Sequence, residues 1–345
     1  MRRPELMPAA VYTGERALEV REVPVPETGP GETLVEVSHC GVCGTDLHLV
    51  LEGYARPGSV LGHEWSGTVV GSGNGTGLRP GTRVVGNPTP GCGTCRACRR
   101  GRPSVCLERE PLDFTAWRGA FTRYLAVAER SLSPVPDGLS TRHAALTEPT
   151  AIALHTVALS GVTAVDRVLV TGAGPVGLLT VAVLGAQGIT DVTVVEPFAS
   201  RRERASEVGA RRVLDPADLP RAPLGRPVDR PFTIAFECSG NARAAESALG
   251  QLDYAGTLVF VGTGHEQPRV DHNRMIVLEL TALGAYNYGA DGFAGALDLL
   301  ASGRLPLDLL VEPQDVTLAD LDTAMRRLAR GELPGKVLVR PEAAR

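Results

Sequence analysis

Arg167-Val-Leu-Val-Thr-Gly-Ala-Gly-Pro-Val-Gly177 is the stretch from which the rest of the chain can be ordered. A continuous apolar run enters a turn carrying Gly172, Gly174 and Gly177, and an apolar helix follows through Ala186. A second strand, Asp191-Val-Thr-Val-Val-Glu196, ends in an acid. Three glycines at this spacing say little alone. Strand, glycine turn, helix, strand and terminal acid in that order read as a dinucleotide-binding unit. The glycines let backbone N–H groups approach a pyrophosphate at the positive end of the helix. Gly172, Gly174, Pro175, Val176 and Gly177 are therefore the expected phosphate contacts. Glu196 can hydrogen-bond both ribose hydroxyls of an adenosine, and a 2′-phosphate there would meet a like charge, so NAD is expected over NADP. Arg201 and Arg202 pull the other way. Arg201 is kept as a cofactor candidate, although both suit the solvated face of a helix from Arg201 to Val208.

Downstream, Thr233-Ile-Ala-Phe-Glu-Cys-Ser-Gly and Gly256-Thr-Leu-Val-Phe-Val-Gly-Thr-Gly read as further strands, with a helix between them from Ala242. Alternating strands and helices build a doubly wound parallel sheet. The connection from Asp215 to Pro231 holds five prolines, so a loop is expected there in place of a crossover helix. Cys238, at a strand end, is assigned to packing.

Upstream the pattern changes. Ala17-Leu-Glu-Val-Arg-Glu-Val-Pro and Thr33-Leu-Val-Glu-Val alternate apolar and polar residues, as do Trp65-Ser-Gly-Thr-Val-Val, Gly81-Thr-Arg-Val-Val and Ala120-Phe-Thr-Arg-Tyr-Leu. Period two broken by Pro and Gly predicts short antiparallel strands with one wet face. The first third thus reads as a β-rich, barrel-like unit. After about Gly292 come two amphipathic helices, Phe293 to Ser302 and Leu318 to Arg330, and a strand, Gly335-Lys-Val-Leu-Val-Arg, which alternates like the N-terminal unit. The expected organisation is a catalytic domain over 1–157, a nucleotide domain over 158–291, and a return to the first domain over 292–345.

Two cysteine-bearing stretches carry chemistry. Cys92, Cys95, Cys98 and Cys106 form a C-x2-C-x2-C-x7-C pattern, within a lobe at about 88–110. Four thiolates can close a tetrahedron around one zinc and leave no open position, which makes a structural site. A nucleic-acid-binding ribbon is the alternative, encouraged by Arg96, Arg99, Arg100 and Arg102. The second stretch is His39-Cys-Gly-Val-Cys-Gly-Thr-Asp-Leu-His48, read with Gly62-His-Glu64. Cys43, His63 and Glu64 offer sulfur, imidazole and carboxylate ligands suited to zinc. Thr45, Asp46 and His48 add polar groups able to move a proton or orient an imidazole. Glu148, at a helix start, is by itself an ordinary dipole partner.

The bulk composition narrows the class. With 345 residues, a formal net charge of -4 and 43% hydrophobic residues, the chain suits two soluble domains and gives no electrostatic case for nucleic acid or anionic membrane. The polar start resembles no signal peptide, Met7 is a possible alternative initiator, and no apolar run reaches a membrane span. Six of the seven cysteines lie in the two clusters, which favours metal over disulfides and a cytoplasmic setting.

Together these residues resemble the zinc-dependent medium-chain alcohol dehydrogenase family, in order and over essentially the whole chain. The resemblance implies an α/β protein: a GroES-like β-rich catalytic domain plus a Rossmann domain. It selects Cys43, not Cys40, with His63, Glu64 and Glu148 as candidate ligands of a catalytic zinc. Glu148 stands where the polyol and threonine dehydrogenase branches carry a carboxylate and the simple-alcohol branch a cysteine. Asp46 would fix the His63 tautomer, and Thr45 would pass the substrate proton through the cofactor ribose to His48. The implied activity is oxidation of a secondary alcohol of a polyol, sugar, aminocyclitol or amino alcohol, with NAD and two zinc ions per subunit. The wording Gly62-His-Glu-Trp-Ser-Gly67 is similar to 2-deoxy-scyllo-inosamine dehydrogenases. Phe114, Trp117 and Arg118 are candidate pocket residues or plain loop anchors. A homotetramer or homodimer is expected from the resemblance. The rivals are an NADPH-dependent reductase of aldehydes or ketones and a non-catalytic zinc- and nucleotide-binding protein.

Overall fold

The computed structural model describes residues 4–72, 77–108 and 118–342. Phe114 and Trp117 lie outside them. The chain forms two compact units. The first comprises Met1–Glu148, Gly289–Gly303 and Glu312–Arg345, and the second Pro149–Tyr288 and Arg304–Val311. The expected boundary after residue 157 falls inside the helix Thr147–Ser160, whose second residue, Glu148, closes the first unit.

In the first unit, β1 (Leu6–Tyr12) and β2 (Leu18–Pro24) form an antiparallel ribbon. β3 (Glu32–Gly41) pairs with β4 (Glu64–Ser72), β4 with β5 (Arg83–Gly86), and β5 with β7 (Leu132–Pro134); β6 (Tyr124–Ala128) pairs with β3. The alternation expected from Ala120 becomes a regular strand only at Tyr124. Before it, Ala120 and Phe121 donate their N–H groups to Gly62 and Leu61, whose carbonyls sit outside the main ladder. The inward residues Val35, Val37, Leu61, Val84 and Phe121 are all buried and share one core with Leu321, Met325 and Val339. That shared burial is what returns the C-terminal segment to this unit.

The second unit holds β8 (Val168–Thr171), β9 (Val192–Val195), β10 (Arg212–Leu214), β11 (Phe232–Glu237), β12 (Leu252–Phe260) and β13 (Thr281–Gly284). All are parallel, in the order β10-β9-β8-β11-β12-β13. Strand order reverses between β8 and β11, the switch point where such sheets bind ligands. β8 is fully buried, as its unbroken apolar run requires. The proline-rich connection carries one 3-10 turn, Pro216–Asp218, and no α-helix. The buried Arg274 guanidinium holds it, donating to the carbonyls of Pro223 and Arg226 on the loop and to Leu249, Gly250 and Leu252 behind it.

The last strand, β14 (Leu338–Val339), is short but decisive for the site. Gly41, at the end of β3, pairs with Glu64 on one side and Leu338 on the other. Residues from three distant parts of the sequence therefore meet over one glycine.

Candidate functional site

The helix Gly44–Leu51 begins where β3 ends, with Cys43 as its N-cap. Asp46 occupies the third helical position, and its Oδ2 accepts the Cys43 N–H at 2.9 Å. Its Oδ1 accepts the Gly62 N–H at 3.3 Å and lies 3.7 Å from His63 Nδ1. One fully buried carboxylate thus fixes the helix start and the Gly62 turn and places its charge beside the imidazole. Cys43 Sγ and the Thr45 hydroxyl form a hydrogen-bonded pair at 3.7 Å. His48, one turn on, is hydrogen-bonded through Nδ1 to Glu52 at 2.7 Å and is partly exposed.

The ligand atoms of Cys43, His63 and Glu64 all lie within 4.8 Å of one another. A sulfur, a nitrogen and an oxygen at that spacing fit one zinc with a fourth position for a substrate. Glu148 is buried, at 7% exposure, but stands outside that mutual spacing. Its charge reaches the group nevertheless. Burial alone pulls the His63 imidazole down, yet the negative charge at Cys43, Asp46 and Glu148 outweighs it and holds His63 well above its usual range. Glu148 itself is pushed up to about 7, chiefly by burial, with Glu64 and Asp46 adding to the shift and His63 and Lys336 opposing it. Asp46 is raised by burial too, against the pull of His63. A dication would relieve all of these strains at once, so the donor set fits a metal.

One residue in this site was not anticipated from the sequence. Lys336 Nζ lies 2.7 Å from Glu64 Oε1 and 2.6 Å from Oε2, and donates to the Val42 carbonyl at 3.0 Å. Both partners are buried, at 1% exposure each. Burial opposes the ammonium charge, but Glu64, Cys43 and Glu148 more than compensate and raise Lys336 above the usual range. The available signal was a lysine at the start of the alternating stretch from Gly335 to Arg340.

In the lobe, the Cys92 and Cys98 sulfurs lie 3.9 Å apart, as do those of Cys95 and Cys106. That is too long for a disulfide and close to the edge of a zinc–thiolate tetrahedron, about 3.8 Å for bonds of about 2.3 Å. Backbone N–H groups of Thr94 and Cys95 point at the Cys92 sulfur, and those of Cys98 and Leu107 at the Cys95 sulfur. The latter pair lowers Cys95 to about 6, as a thiolate ligand needs.

In the second unit, Gly172, Gly174 and Gly177 make the turn between β8 and the helix Pro175–Ala186, which begins with Pro175 and Val176. A Cβ on Gly177 would collide with the Gly172 carbonyl, so the close turn requires glycine there. Glu196, just past β9, is buried at 3% and accepts the Ala173 N–H at 2.8 Å through Oε2 and the Phe198 N–H at 3.1 Å through Oε1. Arg202 is committed to the Glu196 and Pro197 carbonyls and to Asp215, while the Arg201 guanidinium sits over the Phe198 ring. Cys238 is packed beside the Thr180 hydroxyl, and burial drives its thiol far up. Glu237, which the sequence did not single out, ends β11 and accepts the Ser239 and Gly240 N–H groups. Arg118 lines a cavity of about 760 Å³ with Met7, Val23, Val25 and Tyr124, and no metal candidate shares that lining.

Residues 29–137 match the alcohol dehydrogenase GroES-like domain family, and residues 175–302 the zinc-binding dehydrogenase family. The chain is 30% identical to sorbitol dehydrogenase of Bacillus subtilis, over 94% of both chains. It is 34% identical to L-threonine 3-dehydrogenase of Pyrococcus horikoshii, over 85% of this chain and 86% of that one. A solved chain from Sinorhizobium meliloti 1021 with NADP bound superimposes with a TM-score of 0.85 at 31% identity, over 98% of this chain and all of that one.

Proposed function

Because the chain belongs to the zinc-dependent medium-chain alcohol dehydrogenases, we propose that it oxidises a secondary alcohol of a polyol, sugar, aminocyclitol or amino alcohol to the ketone, reversibly, with NAD as hydride acceptor. The convergence of Cys43, His63 and Glu64, with Asp46 behind the imidazole, carries this reading. Cys43 and His63 would hold the zinc with a carboxylate from Glu64 or Glu148. Bound zinc supplies Lewis acidity, which lets a hydroxyl lose its proton near neutral pH.

The chain's own residues do the rest. Asp46 keeps the imidazole oriented towards the metal. The Thr45 hydroxyl, beside the Cys43 sulfur, takes the substrate's proton, and His48 returns it to solvent at the exposed end of the same helix. The substrate's carbon–hydrogen bond delivers hydride to the nicotinamide. Two buried carboxylates beside one zinc suit a substrate with polar neighbours next to the reacting carbon, in keeping with the sorbitol and threonine relatives.

Supporting NAD over NADP, Glu196 presents its carboxylate at the glycine turn, and Arg202 is taken up by carbonyls and Asp215. The four-cysteine lobe would hold a second, structural zinc. No helix among the described residues is long and apolar enough to cross a membrane. The free thiols at both metal sites support a cytoplasmic setting. Among the described residues, β13 leaves one edge of the sheet unpaired, with Ile276 exposed at 71% and Val277 at 55% nearby, which supports a homodimer or homotetramer.

The test is NADH formation at 340 nm across simple alcohols, sorbitol, inositols, aminocyclitols and threonine, with NAD and with NADP, before and after chelation. Chelator-sensitive turnover of a hydroxylated substrate with NAD is expected. Equal or better turnover with NADP would instead select the reductase reading, and turnover of simple alcohols alone would overturn the polyol reading.

A further inference from the structure

The chain carries 35 basic residues, of which 34 are arginine and a single one, Lys336, is lysine. Its ammonium is buried beside the metal candidates, 272 residues from its carboxylate partner. It donates to Glu64 Oε1 at 2.7 Å and to the Val42 carbonyl at 3.0 Å, and Glu64 Oε2 lies 2.6 Å away in the same ion pair.

The space it occupies is made for it. Gly41 lies between Glu64 on β4 and Leu338 on β14, and a Cβ there would collide with Glu64 Oε2 and press the Lys336 Cδ at 3.2 Å. A planar guanidinium is bulkier than an ammonium and would crowd Gly41 in this space.

Glu64 belongs both to this ion pair and to the group with Cys43 and His63. Four acidic groups, Cys43, Asp46, Glu64 and Glu148, surround the site, and Lys336 is the permanent cation among them. We propose that Lys336 is the built-in counter-cation of the metal site: it positions Glu64 against Cys43 and His63 and keeps the acidic cluster assembled before the metal arrives. With the metal bound, Glu64 is shared between the two cations. This rests on the reading of Cys43 and His63 as metal ligands.

A purely structural ion pair would contribute equally with and without metal; a counter-cation matters most without it. Lys336→Met should therefore lower the melting temperature of chelator-stripped protein by roughly 5–10 °C. The drop should be less than half as large after zinc loading. Adding Glu64→Gln to Lys336→Met, which removes the orphaned charge, should recover most of the loss in stripped protein.

The single lysine gives a second measurement that needs no variant at that position. Wild-type protein grown with 15N-lysine shows one side-chain ammonium resonance, and zinc should shift it, with Cys43→Ser abolishing the shift. An equal loss of melting temperature in stripped and zinc-loaded Lys336→Met protein overturns the proposal. So does an unmoved resonance when wild-type protein binds one more zinc than Cys43→Ser protein. If wild-type and Cys43→Ser proteins bind the same amount of zinc, the metal-site reading itself has failed, and the proposal falls with it.

Discussion

Glu148→Gln tests the electrostatics of the site most directly. Burial and neighbouring carboxylates hold Glu148 at about 7, so near neutral pH it carries a proton that an incoming dication must displace. The penalty for binding scales as 1 + 10^(pKa − pH), about elevenfold at pH 6 and close to one at pH 8. Apparent zinc affinity of the wild type should therefore rise about tenfold more than that of Glu148→Gln across this interval, or about 1.4 kcal/mol. His63 also releases a proton on metal binding, but it does so in both proteins. In metal-free protein the same shift acts on folding. A raised carboxyl pKa stabilises the folded chain below the unfolded value, and that contribution is lost as pH rises through about 7. Between pH 4.5 and 8 the stripped wild type should lose about 3 kcal/mol relative to Glu148→Gln. Competition with a chromophoric chelator at pH 6, 7 and 8, with Cys43→Ser as the blank for the lobe, measures the affinity. Denaturant titration of stripped protein measures the stability. Superimposable pH dependences for the two proteins would refute the reasoning.

Arg274→Met should destabilise the second unit by about 3 kcal/mol or more, because it strips donors from five carbonyls at once; urea unfolding monitored by circular dichroism reads this, and a change under about 1 kcal/mol would mean that the proline-rich loop holds itself. Cys95→Ser should cost one zinc per chain by atomic absorption and lower the melting temperature while leaving NADH binding in place; an unchanged metal count would remove the lobe from the list of metal sites. Glu196→Ala should raise the NADP-to-NAD preference at least tenfold in kcat/KM, since it removes the charge facing a 2′-phosphate; an unchanged ratio would place cofactor choice elsewhere.

Local signals were the legible ones. The turn Gly172 to Gly177 and the lobe Cys92 to Cys106 announce themselves because all their parts lie within a few residues. The prolines of Asp215–Pro231 forbade a helix wherever the loop went. The chemistry that depends on pairing across the chain was hidden. Lys336 looked like one polar residue in an alternating strand, and only the register of β14 against β3 brings it to Glu64. Arg274 likewise gave no hint of its five carbonyl partners, because main-chain acceptors leave no trace in side-chain identity. Glu148 could be nominated by resemblance, but its charge coupling to His63 follows from burial, which a helix-start acid does not reveal.

The solitary lysine also shapes how the molecule can be handled. Its side chain is 2% exposed, so amine-directed reagents leave Lys336 of the folded protein untouched. Attachment at Lys336 would appear only when the three strands that meet over Gly41 part, which turns the mass of the conjugate into a counter of how often that corner opens.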